Sequence, residues 1–520
     1  MKLEKVELGE TGNFSPIFLD YLKEEEKLKP FYQHPPRISS FKDAISSRSF
    51  SIEKREILVE SLKNQYKHLV IKQGVQNNIE SLKDHKTFTI TTGHQLNLFS
   101  GPLYFIFKIV TVINACKRLK TEYPDYHFVP IYWMATEDHD FEEINHFNLF
   151  GQHHQWNTDQ KGAVGRFSTD AIQALIDSIP EKVTLFETAY SKGKTLAEAT
   201  RFFVNELFGE EGLVVVDADN AELKATFSSV IKDDLLNNNA HQLVVESSEA
   251  LDSHGYKNQG FPREINFFYM EDGLRERIVK KEERYEVLNT DLRFSEAELL
   301  NLVENSPENF SPNVIMRPLY QETVLPNLAY IGGPAEIAYW LQLKSVFEHY
   351  KTNFPILMPR NFGLVVNKTS TKRLEKLEIP LKNLFLPIHE LKQKFVEQHV
   401  EDGIHLLEEK EILREAFEKI STKAERSDKS LKGFVEAECT KTLKSVENIS
   451  KRLLKAEEKN QEISVKQLEN LKEKLFPGGG LQERKENILN FSINNPDIIQ
   501  FFIDSFDPFD FRFNVIMEEN

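Results

Sequence analysis

TFTITTGHQLNLFSGPLYFIFKIVTVINACKRLKTEYPDYHFVPIYWMA, residues 87–135, decides the fold class. It opens on a short β-branched run, residues 87–92, closed by Gly93, which reads as a strand. A polar loop follows. Gly101 and Pro102 then introduce a long apolar segment to about residue 120, with proline where the first helical turn tolerates its missing N–H. Residues 128–135 (FVPIYWMA) are continuously apolar, as a strand buried on both faces must be. Strand, helix and strand at this spacing make a βαβ unit.

Working outward, residues 212–218 (GLVVVDA) read as another buried strand preceded by a helix at 195–208, and 355–357 and 363–366 as further short strands. Strands alternating with helices predict an α/β protein with a Rossmann-like parallel-sheet core and inserted connecting segments. Residues 151–191 read as one irregular insertion. Residues 264–288 read as a β-rich one, in which 266–270 and 275–279 flank Asp272-Gly273, a hairpin signal. Upstream, 17–28 is amphipathic, 30–37 is proline-rich, and 51–79 reads as helix broken near Gly74. Beyond about residue 371 glycine and proline nearly vanish. Leu443, Val446, Ile449, Leu453 and Ala456, then Leu468, Leu471 and Leu475, recur at three- and four-residue steps, which predicts an α-helical coiled coil with turns at 427–432 and 459–464. The expected organisation is a core over 1–370, a coiled-coil domain over 371–475 whose seam suits a homodimer, and a tail over 476–520 packing back on the core.

A net charge of −16 repels nucleic-acid backbone, so nucleic acid is not an expected partner. The two cysteines, Cys116 and Cys439, have neither zinc spacing nor a disulfide framework and read as structural thiols. The first ten residues carry no apolar leader, and no run approaches the roughly 18 apolar residues of a membrane span. No membrane partner and a cytoplasmic location are the expectations.

Three motifs can carry chemistry. In the first, Gly93, His94 and Gln95 lie at the carboxyl end of a strand, where α/β proteins bind ligands, and a helix start beyond them favours anions. In the second, the strand ending near Trp133 presents Glu137, Asp138, His139 and Asp140, followed by Glu142, Glu143 and His146. Carboxylates beside a histidine suit general acid–base work, or Mg²⁺ with substrate phosphates, while zinc spacing is lacking. The bland reading is an acidic helix start. The third motif runs a strand into Gly332-Gly333-Pro334, with Glu336 and Tyr339 beyond. Arg263, Arg275, Arg277, Arg317 and Arg360 each adjoin an apparent strand and suit carboxylate or phosphate, although structural ion pairing competes for each. The glycines at 478–480 with Gln482 and Arg484 read equally as a phosphate cradle or a helix stop.

Taken together, the blocks resemble the bacillithiol biosynthesis cysteine-adding enzyme family. The resemblance is carried by Thr92-Gly93-His94-Gln95 with Gly101-Pro102-Leu103-Tyr104 and Lys108, and by Trp133-Met134-Ala135-Thr136-Glu137-Asp138-His139-Asp140-Phe141. It continues at Pro262-Arg263-Glu264-Ile265-Asn266, at Tyr330-Ile331-Gly332-Gly333-Pro334 with Glu336 to Trp340, at Met358-Pro359-Arg360, and at Gln482-Glu483-Arg484. The resemblance implies a ligase that joins the carboxylate of L-cysteine to the amine of glucosaminyl-malate, the last step of bacillithiol biosynthesis. It implies an adenine nucleotide (ATP or ADP), with Mg²⁺ open and no transition metal, and a coiled coil that dimerises the chain. On this reading His139 with Asp140 is the acid–base unit, and Glu137 or Asp138 holds the substrate amine or Mg²⁺. The turns at Gly93 and at Gly332 and Gly333 take anionic groups, and Arg263 takes a carboxylate. His94, Gln95, Trp133, Asn145, Asn266, Glu336, Tyr339 and Arg360 complete the substrate site, and Gln482 and Arg484 face the nucleotide. Two other classes stay open: a dimeric small-molecule sensor or scaffold, and a metal-dependent hydrolase built on residues 137–140.

Overall fold

The computed structural model describes residues 1–399 and 405–519. Five parallel strands form its central sheet, in the order Ile356–Pro359, Asn327–Gly332, Thr87–His94, His127–Met134, Val214–Asp217. In chain order this is 5-4-1-2-3, a Rossmann-like arrangement whose direction reverses between Thr87–His94 and Asn327–Gly332. A ligand crevice opens at such a switch point, beyond the carboxyl ends of the strands. The strands are buried almost throughout, which is why their sequences are apolar or threonine-rich without alternation.

The helix Tyr104–Glu122 follows the first strand, as its largely apolar first half leads one to expect. The polar residues of its first three turns, Lys108, Thr111 and Asn114, are buried with partners. The Thr111 hydroxyl donates to Phe107 O (2.6 Å), and Asn114 Nδ2 donates to the carbonyls of Ile503 (2.9 Å) and Phe506 (2.8 Å). The connecting loop is tight. Phe99, Ser100 and Gly101 all have positive φ (53°, 69° and 62°), and Asn487 holds the turn by donating to the carbonyls of Phe99 and Gly101, both at 2.8 Å.

The β-rich insertion is a five-stranded antiparallel sheet, ordered Arg293–Phe294, Arg284–Val287, Leu274–Lys281, Phe267–Glu271, Phe310–Pro312. Its hairpin turns at Asp272-Gly273, with Gly273 at φ 75°. Alternation along Leu274–Lys281 puts Arg275 and Arg277 on one face, and both line the crevice.

Several local expectations shift. Residues 17–28 split into the helix Pro16–Leu22 and a 3₁₀ segment Glu26–Phe31 that accommodates Pro30. The break in 51–79 falls between Tyr66 and Gln73. Gly74 lies inside the second helix, where a Cβ would come within 3.0 Å of Glu210 O. Gly363–Val366 leaves the parallel sheet and pairs with Phe513–Met517, which also pairs with Lys2–Val6, so both ends of the chain meet in a small third sheet. The helix expected after Gly333 is two short ones, Pro334–Trp340 and Lys344–His349.

Leu407–Ser427 and Leu431–Asn460 pack along each other as a helical hairpin, and Glu462–Leu475 returns to the core. The turn expected at 459–464 is only Gln461, and residues 400–404 of the expected coiled-coil region lie outside the described residues. Cys116 is buried and Cys439 half-buried, and both are free thiols. Among the described residues no helix is long and apolar enough to cross a membrane.

Candidate functional site

A cavity of about 670 Å³ lies across the carboxyl ends of the parallel strands, roofed by the antiparallel sheet. Gly93, His94, Gln95, Trp133, Glu137, Asp138, His139, Asp140, Arg263, Asn266, Gly333, Glu336, Tyr339, Arg360 and Arg484 all line it, although they come from six separate stretches of chain. Asn145, Gly332 and Gln482 do not. The Asn145 side chain pairs with His146, and the Gly332 carbonyl accepts from Arg360 N (2.9 Å). The Gln482 amide is committed to the backbone of Val365, accepting at 2.8 Å and donating at 3.0 Å. The segment read as a phosphate cradle therefore clamps a strand.

Lys108 and Glu336 form the floor. Both carboxylate oxygens of Glu336 are engaged: Lys108 Nζ and the Gly333 N–H meet Oε2 at 2.6 and 2.8 Å, and the Tyr330 hydroxyl donates to Oε1 at 2.6 Å. Burial alone would raise the Glu336 carboxyl. The Lys108 ammonium and these hydrogen bonds outweigh it and hold the carboxyl at about 2. Lys108 also donates to Gly93 O (2.8 Å), tying the first strand's end to the floor. His94 stacks on Phe105 with ring centroids 5.1 Å apart. Burial and the nearby Lys108 depress its imidazole to about 3, so it is neutral, and its buried Nε2 has no hydrogen-bond partner.

The second motif is assembled differently from its expected roles. Arg275 Nη1 donates to His139 Nδ1 (2.5 Å), while its Nε donates to Ser311 Oγ (3.0 Å). A guanidinium can only donate, so Nδ1 of His139 is the acceptor and the ring proton sits on Nε2. Asp140 is 3.8 Å from that Nε2, too long for the hydrogen bond that an acid–base pair needs. His139 with Asp140 is thus not a preformed base. Asp138 is a turn cap: its Oδ1 accepts from His139 N (2.8 Å), and its Oδ2 accepts from Gln95 Nε2 (2.8 Å).

Asp138, His139 and Asp140 bring one ligand atom each within 4.8 Å of one another. Asp138 already accepts from Gln95 and the backbone, His139 Nδ1 accepts from Arg275, and that guanidinium beside the imidazole opposes a cation. With a guanidinium on its histidine, the set is poorly suited to Mg²⁺ or another divalent metal.

Glu137 is buried against Lys224, whose Nζ bonds its Oε1 and also donates to Phe310 O (2.8 Å). Burial pushes the Glu137 carboxyl up to about 7, against the pull of Lys224. Of the acidic cluster, it is the residue poised to exchange a proton near neutrality.

Asn266 is a scaffold residue. Its backbone N–H and Nδ2 donate to the buried Asp234 (2.6 and 3.0 Å), and its Oδ1 accepts from Arg263 N (3.0 Å) and Asn313 Nδ2 (2.9 Å). Arg360 is held by Glu483 at 2.5 Å, leaving only its Nε unpartnered, and stands 5.1 Å over the Tyr104 ring.

Among the described residues, Arg263, Arg275, Arg277, Arg317 and Arg484 have no carboxylate within ion-pair distance, and the arginine ion pairs lie at other positions. Five guanidinium groups on one cavity, none in a direct ion pair, suit it to accept anionic groups. Lys224 escapes sequence reasoning, because a lone lysine in a short helix carries no motif.

A Rossmann-like core whose switch-point crevice is lined with free arginines and engaged carboxylates, with a helical hairpin appended, defines a small-molecule α/β enzyme bearing a coiled-coil arm. The family model for bacillithiol biosynthesis BshC, N-terminal Rossmann-like domain, matches residues 1–361, and that for the BshC C-terminal coiled-coil domain matches residues 363–518. The chain belongs to the bacillithiol biosynthesis BshC family. It is 43% identical over 517 residues to a protein of Cytophaga hutchinsonii and 45% identical over 530 residues to one of Flavobacterium psychrophilum, with 99% of each chain covered in both comparisons. A Chlorobaculum tepidum protein is 29% identical over 521 residues, covering 92% of each chain. All three carry the name "Putative cysteine ligase BshC".

Proposed function

We propose that this protein is a cysteine ligase of bacillithiol biosynthesis, joining the carboxylate of L-cysteine to the amine of glucosaminyl-malate as the last step. The observation that carries the reading is the pairing, in one cavity, of free guanidinium groups with the Glu137 carboxyl. The substrates bring three carboxylates, one on cysteine and two on the malyl group, and the attacking amine must lose a proton. Arg317, Arg263 and Arg277 receive carboxylates, and Glu137 accepts the proton of the ammonium as the amide forms. The N–H group of His139, fixed on Nε2 by Arg275, donates to oxygen on which negative charge develops. The Lys108–Glu336 ion pair is the floor on which the substrates rest.

An adenine nucleotide would meet Arg484 and Tyr104 at the mouth. The Arg484 guanidinium lies 5.9 Å over the Tyr104 ring, and the buried Arg360 Nε beside it lacks a partner. When bound, the nucleotide supplies the leaving group that makes the cysteine carboxyl carbon electrophilic. Dimerisation through the helical hairpin is part of the proposal, supported by Leu407, Ile412, Phe434 and Ile449, which are 52–69% exposed along it.

The test is to incubate the purified chain with L-cysteine, glucosaminyl-malate and ATP and to follow products by mass. Bacillithiol formation dependent on all three supports the reading. Absence of product at any nucleotide, with the substrates unbound, overturns it.

A further inference from the structure

Arg317 lines the cavity, and the groups that contact its guanidinium directly are neutral. Its Nη1 donates to Gln321 Oε1 (3.0 Å) and its Nη2 to the Tyr339 hydroxyl (3.3 Å), both neutral acceptors. Gln321 lies one turn along the helix Met316–Val324, so the i,i+4 spacing sets its side chain beside the guanidinium.

An amide can face either way, and here its direction is fixed from behind. Gln321 Nε2 donates to Glu322 Oε1 (2.8 Å), which turns the amide oxygen toward Arg317. The same Glu322 oxygen accepts from Asn327 Nδ2 (2.7 Å). Asn327 Oδ1 in turn accepts the hydroxyls of Thr91 (2.8 Å) and Thr89 (3.1 Å). The chain of bonds therefore begins on the two strands that flank the switch point and ends on a cavity cation. Gln321, Glu322, Asn327, Thr89 and Thr91 are all essentially inaccessible to solvent.

Burial pushes the Glu322 carboxyl up to about 7, against the pull of Arg48 and of its hydrogen bonds, so a costly buried carboxyl is kept one position behind the amide. Placed directly on Arg317, it would form an ion pair and silence the guanidinium. One residue further back it orients and polarises the amide while leaving the arginine's charge for a ligand.

We propose that Gln321 and Glu322 are positioning residues that hold Arg317 without a direct ion-pair partner, ready for a substrate carboxylate. The role rests on the ligase reading above, in which the cavity takes the carboxylates of cysteine and of glucosaminyl-malate.

The experiment compares the full-length wild type with Gln321→Glu and Glu322→Gln. It measures kcat and KM for each substrate, the affinity for glucosaminyl-malate by calorimetry, and thermal melts. Gln321→Glu gives Arg317 an ion-pair partner, so KM for one carboxylate substrate is expected to rise by about tenfold to a hundredfold. Its kcat should stay within about twofold and its melting temperature should not fall. Glu322→Gln frees the amide to turn and raises the same KM by a smaller factor, about threefold to tenfold. A Gln321→Glu enzyme with both KM values unchanged overturns the proposal, as does a loss that follows a lowered melting temperature and falls on kcat. A wild type that binds neither substrate overturns the ligase reading, and with it the role given to Arg317.

Discussion

Replacing Glu336 with Gln probes the floor of the cavity. The Glu336 carboxyl is held at about 2 against an ordinary 4.5, because Lys108, Tyr330 and the Gly333 N–H stabilise its charged form by more than burial opposes it. Linkage converts that difference into about 3 kcal/mol of folding stability at neutral pH. An independent route gives the same size. Lys108 is 3% exposed, so removing its partner strands a buried ammonium, which costs about 3–5 kcal/mol. The sign with pH follows from the depressed value: the contribution is complete above the ordinary carboxylate range and is lost as pH falls through 4.5 toward 2. By pH 4 the wild type has lost about 0.8 kcal/mol of it. Urea unfolding of wild type and Glu336→Gln, from pH 7 down to pH 4, reads both quantities. The gap between the two proteins should be about 3 kcal/mol at pH 7 and should narrow on acidification. A gap below about 1 kcal/mol at pH 7, or one that widens toward pH 4, refutes the reasoning.

Three other substitutions test separate parts of the account. Lys224→Met removes the ammonium that restrains Glu137, so the acidic limb of the pH–rate profile should move upward by about one pH unit or more; an unmoved limb removes Glu137 from the proton transfer. Gly93→Ala would put a Cβ 3.3 Å from the Tyr330 hydroxyl and 3.4 Å from Arg317 Nη1. Steady-state kinetics should show KM raised about threefold to tenfold with the melting temperature little changed. Gly101→Ala meets both φ 62° and a clash with Asn97 Cβ, so chemical denaturation should show a loss of about 2 kcal/mol or more.

Much of the fold is legible because its signals are local. The runs at 87–92, 128–135 and 212–218 are apolar or β-branched on both faces, as strands covered on both sides have to be, and each forms a strand of the parallel sheet. Asp272-Gly273 turns a hairpin because glycine meets the positive φ there. The strand order is not local. Gly363–Val366 looks like its neighbours in the sequence, yet it pairs with Phe513–Met517, a partner that only the folded chain can supply.

The candidate site shows the same division. Density of ionisable residues after a buried strand marks 137–140, but the roles within it depend on Arg275 and Lys224, which are 136 and 87 positions away from their partners. Lys108 reads as an interruption in an apolar helix until the fold brings Glu336 to it. Gln482 carries the composition of a phosphate turn and spends its amide on Val365, because a glycine run specifies flexibility and not the ligand.

The central claim is that this chain completes bacillithiol. Mass-resolved thiol profiling of the native cell with and without the gene tests it most directly. The account predicts that bacillithiol disappears and glucosaminyl-malate accumulates when the gene is removed, and that the intact gene restores both. An unchanged thiol pool with no build-up of glucosaminyl-malate would contradict it.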